Sequence, residues 1–165
     1  MLETLENSAL AEWVRESPSI FSYTLVLSLH AIGLAIVVGT SILIAMRLLG
    51  FAPAIPIEAL RRLQRFIWAG FVVNLISGLL LLIAEATKMA VMPAFIGKIV
   101  LVIIGMAVGY RIKKQVLDDP QALATNVVTD AGRTLAKISL VCWLLALIIG
   151  RLTGYPELVT ELFGI

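Results

Sequence analysis

The chain has 165 residues, of which 60% are hydrophobic and 15% are charged, and its net charge is +2. A soluble domain has about 45–50% apolar and about 25% charged residues, so the composition excludes an ordinary soluble protein. The small net charge argues against a nucleic-acid binder, which carries a concentrated basic face. The single cysteine, Cys142, excludes an internal disulfide framework. We therefore predict an all-α integral membrane protein.

Four apolar segments are long enough to cross a bilayer, which takes roughly 20 residues. They span approximately residues 20–46, 66–84, 94–110 and 135–155. The predicted fold is a membrane four-helix bundle that forms a single domain over residues 1–165. Pro56 and the Asp119-Pro120 pair are typical helix starts, so the second span should begin as a helix before it enters the membrane.

Both ends of the chain have the pattern of surface helices. Residues 2–16 should form a short amphipathic helix on the membrane surface, ended by Pro18. Its apolar face consists of Leu2, Leu5, Ala9 and Trp13. The segment after Pro156 should behave in the same way. The acidic N-terminus lacks the basic region of a cleaved signal peptide, so the first apolar stretch is expected to remain as a span.

The cations of the chain are distributed unequally between the two membrane faces. The first and third loops hold nine of them, namely Arg47, Arg61, Arg62, Arg65, Arg111, Lys113, Lys114, Arg133 and Lys137. The other side holds four, namely Arg15, Lys88, Lys98 and Arg151. Because cytoplasmic loops are enriched in Lys and Arg, we expect the first and third loops in the cytoplasm. Both termini are then periplasmic, and the protein is a multi-pass protein of the bacterial inner membrane.

His30 is the only histidine, and no Asp, Glu, Lys or Arg occurs between residues 17 and 46. An ionisable side chain inside a membrane is rare and marks a functional site by default. We expect His30 at about 15 Å below the outer end of its helix. The helical faces predict a polar pocket around it that is open to the outside. The pocket would contain Asn74, Ser77, Glu85, Lys98, Arg151 and Tyr155. In the alternative interpretation His30 is a neutral imidazole bonded to Ser77, Asn74 or a backbone carbonyl, and the charged residues are interfacial anchors.

Several sulfur-containing side chains are candidate metal ligands in addition to His30. Imidazole, thioether and thiolate groups together suit Cu(I), so copper ligation is one hypothesis. The candidate ligands are His30, Met89, Met92, Met106 and Cys142. Methionine is also ordinary filler of apolar helices. A b-type haem usually takes two axial histidines. With one histidine, haem would need a methionine or a second subunit as its other ligand.

Glycines indicate places where helices pack closely. Gly33 shares the face of His30, and Gly105 and Gly109 form a small-xxx-small pair in the third span. We expect these three positions to serve helix packing. The metalloprotease, redox CxxC, nucleophile-elbow and phosphate-loop motifs are all missing from the sequence, and no carboxylate pair lies in the spans. The expectation is a protein that is not an enzyme.

Three runs of sequence carry a resemblance to known proteins. They are LHAIGLAIVVGTSILIAMRLLG (29–50), FIGK (95–98) and GRLTGY (150–155). Over nearly its whole length the chain resembles an uncharacterised family of small bacterial four-helix inner-membrane proteins. More distantly, the spacing of His30 and Gly33 is similar to copper-resistance D proteins and to b-type cytochrome membrane subunits. Those proteins usually carry several intramembrane histidines. The resemblance marks His30, Gly33, Lys98, Arg151 and Tyr155.

The leading hypothesis is a non-enzymatic membrane protein that handles a metal ion, copper, at an outward-facing site around His30. Copper would be taken up at Met89 and Met92, coordinated by His30 and relayed through Met106 and Cys142. The first alternative is a membrane anchor or b-haem electron-transfer subunit of a respiratory or dehydrogenase complex. The second is a purely structural membrane partner. The expected partners are the lipid bilayer and either further copies of the chain or a larger membrane complex, without nucleic acid.

Overall fold

The protein is all-α in its computed structural model, which describes residues 2–155 and contains no strand within them. The helices are α1 (Leu2–Glu6), α2 (Ala9–Glu16), α3 (Tyr23–Leu48), α4 (Ile57–Ala84), α5 (Ala86–Met89), α6 (Pro93–Ile112), α7 (Pro120–Thr125) and α8 (Asp130–Leu152). A π-helical turn, Lys113–Leu117, extends α6. The predicted surface segment after Pro156 lies outside the described residues.

Four helices, α3, α4, α6 and α8, are long and apolar enough to cross a membrane. Only 11% to 33% of the residues in their most apolar windows are buried inside the protein. The remaining apolar side chains face outward and form a continuous apolar surface. Such a surface is stable in contact with lipid but not in contact with water. The chain is therefore a multi-pass membrane protein with a four-helix bundle, as the composition predicts.

The spans begin at residues that differ from the predicted limits. The first begins at Tyr23, because the Ser22 hydroxyl donates to the carbonyl oxygens of Ser17 (3.0 Å) and Ser19 (2.6 Å) and fixes a turn before it. His30 therefore follows the start of α3 by about two turns, or about 11 Å. This depth is smaller than the depth expected from the sequence.

The second and fourth spans also begin earlier than hydropathy alone predicts. Helix α4 begins at Ile57, directly after Pro56, so its first turns precede the apolar segment. Helix α8 begins at Asp130, where the Thr129 side chain accepts a hydrogen bond of 3.2 Å from the N–H of Gly132. Such caps satisfy backbone donors at a helix start. Helix α8 ends at 152 and not at 155.

The four spans follow one another in space in the order α4–α3–α8–α6. Helix α3 packs against α4 on one side and α8 on the other, and α6 packs against α8. Helices α4 and α6 make no comparable contact within the described residues. The contact of α3 with α4 is close, because a Cβ atom on Gly33 would lie 2.8 Å from the Asn74 nitrogen and 2.9 Å from the Gly70 oxygen.

We call the end of the bundle that carries α1 and α2 the N-terminal end. At the opposite end the two interhelical loops are joined by Arg47, which is only 4% exposed. Its Nε donates to the carbonyl oxygen of Ile55 (2.6 Å) and its Nη2 donates to the Asn126 side-chain oxygen (3.1 Å). The same oxygen accepts from the Ile57 N–H at 3.0 Å. The π-helical turn and α7 also pack against α4, so this end of the bundle is closed.

The N-terminal segment forms two short helices and not the single one expected. Ser8 interrupts it by capping α2, where its hydroxyl accepts from the N–H of Ala11 at 3.3 Å. Ala11 and Val14 are fully buried, and Arg15 donates to the Ala84 carbonyl oxygen at 3.0 Å. The segment therefore docks on the bundle through Ala11 and Val14 and leaves exposed the face that is predicted to contact the membrane surface. All four residues of that face, Leu2, Leu5, Ala9 and Trp13, are exposed.

The close contact of α3 and α4 predicts opposite effects for two glycine substitutions in one helix. Gly33→Ala should destabilise the protein by about 1–3 kcal/mol, because the added methyl meets backbone atoms that cannot move separately. Gly39→Ala is the control, since nothing lies within 4 Å of its added Cβ. It should be neutral or stabilising by up to about 1 kcal/mol. Unfolding in mixed detergent and SDS micelles measures both changes. Equal stabilities would contradict the close contact.

The N-terminal segment should detach in acid. The hydroxyl and the N–H of Thr87 donate to the Glu6 carboxylate and hold its pKa below the usual 4.5. Because folding lowers this pKa, the ionised Glu6 carboxylate stabilises the folded chain fully above about pH 4.5. This stabilisation is lost as the pH falls through the pKa that Glu6 has in the folded chain. Hydrogen exchange of residues 2–16, corrected for its intrinsic pH dependence, should therefore accelerate in acid. Glu6→Gln should accelerate it at neutral pH, whereas Glu3→Gln should not. Acid-independent exchange in the native chain would refute the prediction.

Candidate functional site

His30 points from α3 toward α4, where its ring has a defined set of partners. Its Nδ1 lies 3.2 Å from the carbonyl oxygen of Asn74 and 3.3 Å from the Ser77 hydroxyl oxygen. The Ser77 hydroxyl donates its own hydrogen to the carbonyl of Val73 at 2.6 Å. Both atoms near Nδ1 are therefore acceptors, and Nδ1 must carry the hydrogen of a neutral imidazole. The other ring nitrogen, Nε2, has no hydrogen-bond partner among residues 2–155.

Two further contacts fix the imidazole ring. The Asn74 side-chain amide donates to the backbone carbonyl of His30 at 2.9 Å, so the two residues are joined by hydrogen bonds in both directions. The ring edge lies over Gly78, where a Cβ atom would come within 3.0 Å of the His30 Cε1. Gly78 therefore provides the space for the ring. The sequence prediction had included Asn74 and Ser77 but not this glycine.

Lys98 reaches the same region from α6. Its side chain runs past Gly150 of α8, where a Cβ atom would lie 3.3 Å from Cδ and 3.5 Å from Cε of the lysine. Lys98 and His30 both lie within about two turns of the start of their helices, so they occupy the same half of the bundle. Within residues 2–155 no carboxylate lies within 4.0 Å of the Lys98 ammonium. A partly buried cation without a counter-ion is costly in a membrane.

All four spans thus contribute to one polar region. We call it the His30–Lys98 site, and it consists of His30, Asn74, Ser77, Gly78, Lys98 and Gly150. His30 lies about two turns and Lys98 about one and a half turns from the start of their helices, so both belong to the half of the bundle near its N-terminal end. The site presents an imidazole nitrogen that accepts a hydrogen bond and an ammonium that donates one.

The other residues of the predicted pocket have local partners. Glu85 pairs with Lys88 of the next turn at 3.8 Å. The Arg151 Nη2 donates to the Tyr155 hydroxyl at 2.7 Å, and its guanidinium lies 4.9 Å from the centre of that ring. Both pairs lie at the N-terminal end, and neither makes a hydrogen bond to His30. The convergence of these charges over His30 therefore stays a prediction from the sequence.

Apolar side chains surround two of the predicted sulfur ligands, Met92 and Met106. Met92 is buried in a small apolar cluster at the N-terminal end of the bundle, and Met106 packs against the main core. The apolar neighbours of Met92 are Ala94, Phe95, Ile149 and Leu152. Cys142 is a buried free thiol. Within the described part of the chain no three His, Cys, Asp or Glu side chains are grouped as metal ligands. The environments of Met92 and Met106 are those of ordinary core methionines.

The packing glycines have unequal surroundings. Gly33 faces the backbone of α4, and Gly105 faces the ring of Trp143, whose carbon atoms would lie 3.0–3.4 Å from an added Cβ. An added Cβ on Gly109 would meet nothing within 4 Å. From their spacing in the sequence, Gly105 and Gly109 have the same predicted role in helix packing. The spacing does not show which helix lies opposite each glycine.

The hydrogen bonds of His30 predict the tautomer of its neutral ring. Because Nδ1 faces two acceptors, the hydrogen should reside on Nδ1 and the lone pair on Nε2. The chain has one histidine, so ¹⁵N-histidine labelling of the detergent-purified protein gives one pair of ring signals whose shifts identify the tautomer. Gly78→Val should displace the ring and change both signals, whereas Gly97→Val, at an open position, should not. A ring with its hydrogen on Nε2 would contradict this geometry.

Comparison with known proteins gives no assignment for this chain. No protein-family model, no curated protein and no solved structure matches it. The resemblance to small four-helix inner-membrane proteins therefore stays a prediction from the sequence. The function has to be inferred from the geometry and electrostatics of the His30–Lys98 site.

Proposed function

We propose that this protein is a non-enzymatic multi-pass protein of the bacterial inner membrane that binds an anionic group at the His30–Lys98 site. One observation carries the proposal. Lys98 is partly buried in the half of the bundle that also holds His30, and no carboxylate among the described residues lies within 4.0 Å of its ammonium. A bound anion would supply the missing counter-charge. The free Nε2 of His30 would be its second contact.

The sign of the charge at the site favours an anion over the metal ion considered from the sequence. A fixed cation in the same half of the bundle as His30 disfavours Cu(I) there, because charges repel more strongly where water is scarce. An anion gains from the same field. Charge-assisted hydrogen bonds to an ammonium are also stronger than neutral ones, contributing about 1.5–3 kcal/mol each. Coordination of copper by His30 remains the competing proposal, and the experiment below includes it.

The distribution of cations supports a location of the site in the outer half of the membrane. The opposite end of the bundle carries the two loops with nine of the thirteen Lys and Arg residues. By the positive-inside rule that end is cytoplasmic and the N-terminal end is periplasmic. The His30–Lys98 site then lies at the level of the outer leaflet, below the headgroups.

Lipid binding to single-residue variants tests the proposal. In native mass spectrometry of the detergent-purified full chain, phosphatidylglycerol should bind more strongly than zwitterionic phosphatidylcholine. Lys98→Gln should weaken phosphatidylglycerol binding about tenfold or more, which corresponds to one charge-assisted hydrogen bond. Lys88→Gln is the matched control, because Lys88 is exposed and paired with Glu85 at the same end.

Two outcomes would overturn the proposed function. One is equal lipid binding by the native chain and Lys98→Gln. The other is stoichiometric Cu(I) in the native protein that is lost in His30→Ala, which would show a metal site instead.

A further inference from the structure

We infer that four exposed cations form a belt around the spans that binds the anionic headgroups of the adjacent lipid leaflet. We call this group the basic belt, and it consists of Arg65, Arg111, Lys114 and Lys137. The belt lies toward the end of the bundle opposite to the N-terminal end, so its leaflet is the inner one in the proposed orientation. It is separate from the His30–Lys98 site, which lies in the other half of the bundle.

Protein partners divide the nine cations of this side into two groups. Arg47 donates to a backbone carbonyl and to the Asn126 side chain. Four others lie within 4.0 Å of a carboxylate, namely Arg61, Arg62, Lys113 and Arg133. The four cations of the basic belt have no carboxylate within this distance among residues 2–155. Their charges are therefore left for a partner from outside the described chain.

The contacts between α6 and α8 put two cations of the belt at one level. Glycines of one helix face side chains of the other at three positions, namely Gly105 with Trp143, Gly132 with Val116 and Gly150 with Lys98. In this antiparallel register, each step forward along α6 corresponds to one step backward along α8. Arg111 of α6 is therefore level with Lys137 of α8. Lys114 lies about 4 Å further from the N-terminal end.

The belt continues on α4. The Nε of Arg61 donates to the Asp118 carboxylate at 3.2 Å, which places the first turns of α4 beside the end of the π-helical turn. Arg65 lies one turn, or about 6 Å, nearer the middle of the bundle than Arg61. Arg111 precedes Asp118 by about two turns, or about 10 Å. This difference is smaller than the length of an arginine side chain, so Arg65 and Arg111 reach the same depth.

The belt lies one bilayer thickness from the N-terminal end. No Asp, Glu, Lys or Arg occurs in α4 between Arg65 and Glu85. These two residues are about 30 Å apart along the helix, which is the thickness of the hydrocarbon core. In α6 the distance from Pro93 to Arg111 is about 27 Å. The basic belt is therefore at the depth of the phosphate groups of one leaflet.

Aromatic side chains accompany the cations at this depth. Phe66, Trp68 and Tyr110 are exposed, and each lies within one turn of Arg65 or Arg111. The Arg65 guanidinium lies 5.5 Å from the centre of the Phe66 ring. Tryptophan and tyrosine are enriched where a membrane protein crosses the headgroup level. Their positions support the same depth independently of the charges.

The protein packs differently on the two sides of the belt. On the side away from the spans, Ile57, Leu60 and Leu117 are at most 1% exposed. On the other side, only 17% of the most apolar window of α4 is buried. Apolar side chains withdraw into a core where water surrounds the protein, and lipid imposes no such requirement. The belt therefore marks the boundary between lipid and water.

Lipid headgroups are the partner that fits this arrangement. The cations come from α4, from α6 with its π-helical turn and from α8, so they are distributed around the bundle. The surface of the spans next to them already contacts lipid, and the belt continues that interface. Anionic headgroups supply the opposite charge, and they attract Lys and Arg near the membrane surface.

Tryptophan fluorescence in vesicles tests the inference. Trp68 lies at the belt, Trp143 is buried, and Trp13 lies at the N-terminal end. In the Trp13→Phe variant, Trp68 is therefore the tryptophan that brominated lipids can quench. The lipid-exchange constant from this quenching should favour phosphatidylglycerol over phosphatidylcholine about fivefold, which corresponds to about 1 kcal/mol for one cation near an anionic surface.

Two neighbouring arginines of α4 provide matched variants in the Trp13→Phe background. Arg65→Gln should remove most of the preference. Arg62→Gln should leave it unchanged, because Arg62 lies further from the spans and pairs with Glu58 at 3.6 Å. Lys98→Gln should also leave it unchanged. A rise in salt from about 0.01 M to about 1 M should reduce the preference, because the screening length falls from about 30 Å to about 3 Å.

Three outcomes would overturn the inference. One is equal quenching of Trp68 by the two lipids, which would leave an acidic protein as the partner of the cations. Another is an equal loss of preference in Arg62→Gln and Arg65→Gln, which would show diffuse surface charge and no belt. The third is a preference for phosphatidylglycerol that salt does not reduce.

Discussion

The contact between α3 and α4 is the constraint on which the site depends. Gly33 and Gly70 let the two backbones approach, and at this distance the amide of Asn74 reaches the backbone carbonyl of His30. The Asn74 carbonyl in turn accepts from the imidazole. Because lipid offers no alternative partners, these hydrogen bonds are made within the protein or not at all. The contact therefore determines both where His30 lies and which of its nitrogens is free.

The second consequence of the packing is that α4 and α6 make little contact with each other in the described residues. Within the described residues, α3 packs against α4 on one side and α8 on the other, and α6 packs mainly against α8. The opposite end is held by Arg47, whose hydrogen bonds join both loops and so prevent the helices from separating there. The half of the bundle near the N-terminal end has no equivalent tie between α4 and α6 in the described residues. His30 and Lys98 consequently lie in the half of the bundle that lacks such a tie.

Part of the site could be predicted from helical periodicity. Asn74 and Ser77 share a face of α4, and the structure joins both to His30. Glu85 and Arg151 were expected at the same site. They instead pair with Lys88 and Tyr155 on neighbouring turns, because an exposed charge finds the nearest partner without any cost of desolvation. The two glycines that make room for His30 and Lys98 could not be singled out, since their role depends on which side chain crosses them.

The sequence by itself determined the class of protein, the number of spans and the presence of a lone histidine inside the membrane. It could do so because the affinity of a segment for lipid follows from its own composition, whatever its neighbours are. The tertiary structure decided the order α4–α3–α8–α6, the hydrogen bonds that join His30 to α4 and the packing of Lys98 against Gly150. These features depend on close approaches between distant segments, such as Gly33 with Gly70. Several glycines in apolar helices have the same local pattern, and only the packed chain distinguishes the one that contacts a backbone from the one that faces lipid.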